Sequence, residues 1–361
     1  MARSGKSGRK EARVRLGLIA EPEAFVPLVE AVRSCARLEL AAQAGVLHGA
    51  AVPDVPWYDD QRALIAQADL DALLLAVRPR RAVELSHVAL EDGLHIWRTA
   101  PLARSFAEGV DVVRRARSAG LVYRVASWWD HVAPVVGQLV PAGAAPVYYT
   151  RIEALGAGPG LEAWNSSAAE SLGGALATEG YDLLESLIAL RGSPDSLSAA
   201  VGRFRRVAGK ALRETEDQAS AILRYSGGGL ADVRAAWDSA PAPEGEPREP
   251  APFAPGWTWH AVHESTQHRL CYQRDVALLL DAVGRQLERQ ALPAPNLSGE
   301  LSRFEAAVCN DAGAREATQR GLERHLAVTA LLETAYLSAR TSQPERPAKL
   351  YEVQKWPEPQ P

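Results

Sequence analysis

The sequence predicts an α/β chain in two parts: an N-terminal Rossmann-like, doubly wound parallel sheet, then an α+β region built on an open, mostly antiparallel sheet. Three observations predict it. Up to about residue 125, near-continuous apolar segments alternate with amphipathic ones, the pattern of parallel strands buried on both faces by helices. Beyond Pro146 that alternation gives way to longer segments of mixed polarity joined by turn signals, the pattern of a sheet with one wet face. The 361 residues are too many for one ordinary core and a natural length for two.

Taken in order, Val14 to Ile19 reads as a strand, AEPE as a turn, and Phe25, Leu28, Val29 and Val32 as the apolar stripe of a helix. A second strand starts at Leu38 and a third, DALLLAV, at Asp71 after the helical DDQRALIAQADL. Helix AVELSHVALEDG, strand LHIWRT, helix SFAEGVDVVRRARSAG and strand LVYRVASWW continue the series. A long helix is predicted over 170–192, followed by the strands SLSAAVGRFRRV, ASAILRYS, LADVRAAW and WTWHAVHES, with GGG at 227–229 as a hairpin turn. Two further helices are predicted around 275–291 and 316–341, and KLYEV as a short strand near the end. The boundaries that follow are 1–12 for a disordered basic tail, 13–130 for the first domain and 131–341 for the sheet domain. A Pro-rich insertion lies at 240–256 and a C-terminal tail at 342–361.

Composition excludes several function classes. Hydrophobic residues make up 47% and charged residues 23%, the balance of a globular protein. No segment approaches the roughly 20 uninterrupted apolar residues of a membrane span, and the N-terminus lacks the apolar core of a signal peptide, so the expected location is cytoplasmic with no membrane partner. A net charge of -4 leaves no electrostatic footprint for nucleic acid. The basic opening, with Arg3, Lys6, Arg9, Lys10 and Arg13, has no aromatic residue to stack on bases. Cys35, Cys271 and Cys309 are odd in number and contain no CxxC pair, so free thiols are expected and no metal site. His260, His263, His268 and Cys271 do not change this, because strand alternation puts His260 and His263 on opposite faces.

ALEDGLHIWRTAPLARSFAEG resembles the Gfo/Idh/MocA oxidoreductase family's segment "ALEAGKHVLCEKPLA", with the family's Glu-Lys-Pro falling on Thr99, Ala100 and Pro101. The helix at 171–192 is similar to the family's "GG, aspartate, Gly-x-His-x-x-Asp" helix, keeping Gly173, Gly174 and Gly180. DQASAILRYSGGGLADVRAAW resembles the family's "ASALLRF-GG-LATLRASW" hairpin, and LLETAYLSART its closing helix. The resemblance covers about residues 13 to 350. It implies NAD(P) on the first domain, a sugar or cyclitol over the open sheet of the second, and hydride transfer between them.

The residues such chemistry needs are replaced. A dinucleotide site needs glycines after the first strand so that backbone amides can approach the pyrophosphate. Here the turn is Ala20, Glu21, Pro22, Glu23, Ala24, Phe25, and no glycine lies between Gly17 and Gly45. Gly45 stands where the family has the ribose acid, and Val77 and Arg78 replace its Thr-Pro pair. Alcohol oxidation needs a base and a cation for the developing oxyanion, yet the family's lysine and histidine positions hold Ala100 and Asp182. Asp182 and Glu185, one helical turn apart, are the candidate catalytic pair, expected as a carboxylate pair without a nearby cation.

Other ligand-cleft candidates are Arg78 with Arg80 and Arg81, Thr99, Pro101, and the cluster Trp128, Trp129, Asp130 and His131, read as a ligand platform or a packed junction. Tyr148 and Arg151 could line a substrate or a subunit face. Two functions follow. One is a catalytically degenerate relative with no cofactor, acting through a protein partner and forming a homodimer or higher homo-oligomer through the sheet. The other is an NAD- or NADP-dependent oxidoreductase of a secondary alcohol with Asp182 as base.

Overall fold

The computed structural model describes residues 13–45, 51–141, 143–156, 158, 164–204, 206–207, 210–211, 213–237, 258–273, 275–294 and 296–358. The basic opening and the Pro-rich 240–256 stretch lie outside the described residues. The chain falls into two units, one comprising residues 1–99, 112–126 and 296–322, the other 100–111, 127–295 and 323–361.

In the first unit the strands β1 (Val14–Ala20), β2 (Leu38–Gly45), β3 (Ala72–Ala76), β4 (His95–Arg98) and β5 (Tyr123–Val125) form a parallel sheet of order β2-β1-β3-β4-β5. The helices met along this stretch are α1 (Pro22–Ser34), α2 (Gln61–Gln67), α3 (Pro79–Glu91) and α4 (Phe106–Ser118). Every residue of β3 is buried, as a strand covered on both faces requires. The α1 residues Phe25, Leu28, Val29 and Val32 bury against β1 and β2, so the predicted apolar stripe faces the sheet. Arg124 on β5 is buried and pairs with Glu300 at 3.1 Å. Gln43, fully buried on β2, donates to the carbonyls of Val52 and Val55 and accepts from the Val52 amide, tying the following loop to the strand.

The second unit begins its described strands with β6 (Tyr149–Gly156), preceded by α5 (Trp129–Leu139) and followed by α6 (Ala175–Thr178) and α7 (Tyr181–Arg191). Then come β7 (Ser196–Gly202), the small pair β8 (Arg206–Val207) and β9 (Lys210–Ala211), β10 (Gln218–Arg224) and β11 (Leu230–Trp237). The series ends with β12 (Thr258–Glu264), β13 (His268–Tyr272), β14 (Val276–Asp281) and β15 (Gln286–Ala291). Eight of these strands form one sheet of order β15-β14-β13-β12-β6-β11-β10-β7, antiparallel except at β6–β11. Burial alternates strictly along β10, and the inward residues of the sheet pack with side chains of α5, α6, α7 and residues 327–335. The β10–β11 turn carries Gly227 and Gly228 at φ +83° and +92°, as the GGG signal predicts.

The remaining helices are α8 (Leu297–Val308), α9 (Ala312–Thr341) and α10 (Ala348–Gln354). Three expectations are corrected. Residues 275–291 form the β14–β15 hairpin, not a helix: Asp281 accepts from the amides of Val283 and Arg285, Gly284 sits at φ +89°, and Val283 and Leu287 are exposed. The helix expected over 170–192 starts only at Ala175 and breaks at Gly180. KLYEV is helical, with Tyr351 buried against the Phe106 ring at 4.6 Å. Among the described residues no helix is long and apolar enough to cross a membrane.

Candidate functional site

At the carboxyl ends of β1 and β3, where open α/β sheets bind ligands, the turn after β1 is closed on itself. The Glu21 amide donates to the Ala76 carbonyl at 2.8 Å, the Ala24 amide to the Glu21 carbonyl at 3.1 Å, and Pro22, first residue of α1, has no amide hydrogen. Arg78, the residue before α3, lies 3.6 Å from the Glu21 carboxylate. A Cβ on Gly45 would sit 3.0 Å from the Ala20 carbonyl oxygen, so glycine there serves a close backbone approach. These residues do not fit a dinucleotide pyrophosphate: the Glu21 and Ala24 amides are bonded within the protein, Pro22 has none, and a carboxylate stands where negative charge would arrive. Thr99 follows β4, its amide bonded to the Leu75 carbonyl at 3.1 Å.

In the second unit, Ala100 is half-buried against the main core and Pro101 follows it through a cis peptide bond. Asp182 lies in the first turn of α7, where a carboxylate favours the helix N-terminus, and is partly exposed. Glu185, one turn on, is completely buried. One of its oxygens accepts from the Ser127 hydroxyl at 2.6 Å and from the Arg324 guanidinium at 2.8 Å. Arg324 also donates to Asp130 at 2.5 Å, and the His325 ring lies 3.8 Å from Glu185 and 3.0 Å from the Tyr181 hydroxyl. The expected carboxylate pair without a cation is thus corrected: α9 supplies one. Burial pulls the Arg324 pKa down, but the charges of Glu185 and Asp130 outweigh it and hold the guanidinium above its ordinary value. No hydrogen bond joins Glu185 to Asp182 among the described residues. With Glu185 completely buried and held by the Ser127 hydroxyl and the Arg324 guanidinium, this cluster suits charge fixation. Nothing in the local sequence signals it, since Arg324 is 139 residues from Glu185.

No protein-family model and no curated protein sequence matches the chain. Solved structures do. An oxidoreductase from Thermotoga maritima superposes with a TM-score of 0.74 at 16% identity, over 94% of this chain and 99% of its own. An NAD binding oxidoreductase from Klebsiella pneumoniae gives 0.73 at 16%, over 92% and 98%. The WlbA dehydrogenase from Bordetella pertussis, solved with NADH and UDP-GlcNAcA, gives 0.70 at 18%, over 92% and 98%. The chain has the fold of these oxidoreductases.

Within that oxidoreductase fold the other candidates have distinct surroundings. Trp128 and Trp129 are buried, Trp128 meeting the Trp259 ring edge-on at 4.7 Å and the Tyr272 ring at 5.9 Å. They are core. His131 is half-buried on α5. Tyr148 and Arg151 are exposed; Tyr148 donates to Glu264, and Arg151 lies 3.9 Å from Asp232 and over the Tyr149 ring. His263 is buried between the Thr150 hydroxyl at 3.0 Å and the Tyr272 hydroxyl at 2.9 Å, and burial pushes its pKa down to about 3. His260 points from the opposite face, near Glu153. Among the described residues no cluster of His, Cys, Asp and Glu could hold a metal, and the three cysteines are free.

Proposed function

We propose that the chain is a divergent member of the Gfo/Idh/MocA group that has lost catalysis and acts as a binding, regulatory or scaffolding protein, binding no nicotinamide cofactor. The observation that carries this reading is the turn after β1, where the Glu21–Arg78 pair and Pro22 replace the amides a pyrophosphate needs. The Arg324-held Glu185 and the alanine at position 100 support it independently. The homo-oligomer belongs to this proposal: the outward face of the eight-stranded sheet carries Arg151, Asp232, Arg234, Ile222 and Leu230, a mixed apolar and charged surface suited to a second copy. Light scattering on the purified protein checks it, a monomer at all concentrations counting against it.

A second reading, an active oxidoreductase using Asp182 as base, is favoured by the cofactors named for the structural neighbours, NADH among them. Titration with NAD, NADH, NADP and NADPH, followed by nucleotide fluorescence and thermal shift, separates the two. The proposal expects no saturation up to about 1 mM, whereas a Kd of about 1 μM would replace it by the second reading. Sugars and cyclitols would then be screened against an Asp182→Asn control.

A further inference from the structure

An open pocket of about 730 Å³ lies in the second unit at the C-terminal end of α7, beside the β10–β11 turn. Its residues include Arg191, Ser193, Asp195, Tyr225, Ser226 and Glu358. Arg191 is the last residue of α7, and its guanidinium lies 3.9 Å from the centre of the Tyr225 ring, a stacked cation–π contact. One of its nitrogens donates to the Leu230 carbonyl at 2.8 Å and to the Thr150 hydroxyl at 3.4 Å. The other occupies space that only a glycine leaves open, because a Cβ on Gly229 would come within 2.4 Å of it. The cation is therefore fixed on three sides. No carboxylate among the described residues pairs with it. Beside it, the Tyr225 hydroxyl is buried without a hydrogen-bond partner, an arrangement that is costly unless something accepts from it.

The opposite sign is present in the same pocket and is not used to neutralise this cation. Asp195 accepts the Ser226 hydroxyl with both oxygens, at 2.9 and 2.8 Å, and Glu358 is exposed at the rim. A rigid guanidinium with an adjacent phenol donor matches the two oxygens of a carboxylate. Two carboxylates in the same pocket disfavour a dianion and favour a ligand whose far end carries hydrogen-bond donors. We propose that this pocket binds a small monocarboxylate bearing hydroxyl or ammonium groups, its carboxylate on Arg191 and the Tyr225 hydroxyl and its donors toward Asp195 and Glu358.

Calorimetric titration of the full chain with D-gluconate, L-serine, D-glucose and inorganic phosphate tests it. Saturable binding of gluconate or serine is expected, the stronger of the two identifying hydroxyl or ammonium as the preferred donor, with glucose and phosphate at least about tenfold weaker. Arg191→Gln should weaken that binding by about tenfold or more, and Tyr225→Phe, which removes one oxygen and keeps the ring under Arg191, by about threefold to tenfold. Should Arg191→Gln fail to fold, the Tyr225→Phe ratio decides. The proposal is overturned if neither carboxylate binds at about 50 mM, if glucose or phosphate binds as well as gluconate and serine, or if Tyr225→Phe leaves affinity unchanged.

Discussion

Two loops of this chain lie where its sequence resembles one oxidoreductase family, and they differ in glycine content. One holds the double glycine Gly173–Gly174; the turn after β1 holds none. The structure gives the reason in steric terms. A Cβ on Gly174 would lie 1.9 Å from the Glu216 carbonyl oxygen and one on Gly173 1.9 Å from the Tyr336 hydroxyl. The Glu216 carboxylate in turn accepts from the Gly174 amide at 2.7 Å, the Leu176 amide at 3.0 Å and the Tyr336 hydroxyl at 2.9 Å. These glycines are demanded by the protein itself. The glycines of a phosphate turn serve a ligand and not the fold, so other residues can stand there without disturbing the fold.

The comparison breaks most visibly at Gly174. Gly174→Ala forces a methyl group into buried backbone and should cost about 4 kcal/mol or more, or prevent folding. Ala24→Gly in the first turn of α1 should cost only about 1 kcal/mol or less. Urea unfolding of both variants checks the contrast, and similar losses would remove the steric explanation.

The buried cluster around Glu185 comes next. Arg324→Met leaves a fully buried carboxylate without its cation and should destabilise by about 3–5 kcal/mol. Adding Glu185→Leu should restore most of that loss, because the penalty lies in the stranded charge. If the double variant were no better than the single one, Arg324 would be acting through packing or through Asp130.

A smaller effect is expected at His263. Burial holds it neutral when folded, with a pKa near 3 against about 6.5 when unfolded, so the unfolded chain binds the extra proton. Its penalty is absent above pH 6.5 and grows as pH falls, by about 1.4 kcal/mol per unit until the folded pKa is reached. Between pH 6.5 and 5 the wild type should therefore lose roughly 2 kcal/mol more than His263→Gln. Groups with the opposite sign, such as Glu216, whose carboxyl burial raises, are present in both proteins and cancel.

How much of this was legible in the sequence depends on how local the cause is. The parallel strands were legible because β3 reads ALLLA and is buried throughout, and the β10–β11 hairpin because GGG marks a turn needing positive φ. The β14–β15 hairpin was misread because Val276, Leu279, Leu280, Val283 and Leu287 recur at helical spacing. The signal against a helix was Asp281 followed three residues later by Gly284, a turn pair that the periodicity obscured. In the site, the missing glycines and the alanine at position 100 are local facts and were read directly. Arg324 and Tyr336 were not, because their partners lie 139 and 120 residues away and no spacing encodes such a meeting. The two tryptophans at 128 and 129 show the same limit: their position after β5 was legible, but whether a ring faces ligand or core depends on Trp259 and Tyr272.

The smallest effect on stability carries the most about function. Glu21→Gly with Pro22→Ala removes the carboxylate from the turn and adds an amide hydrogen at the start of α1. The Glu21–Arg78 pair is partly exposed and worth about 1 kcal/mol or less, and losing proline at the first helical position costs a similar amount. Stability should therefore fall by less than about 2 kcal/mol. If these two residues are what keeps a pyrophosphate out, NADH affinity in the same variant should rise by tenfold or more, read by nucleotide fluorescence. The reason is that the substitution replaces repulsion by a donor at the helix N-terminus and also frees Arg78 from Glu21. Unchanged affinity would mean that Glu21 and Pro22 are not what sets the affinity for NADH at this turn.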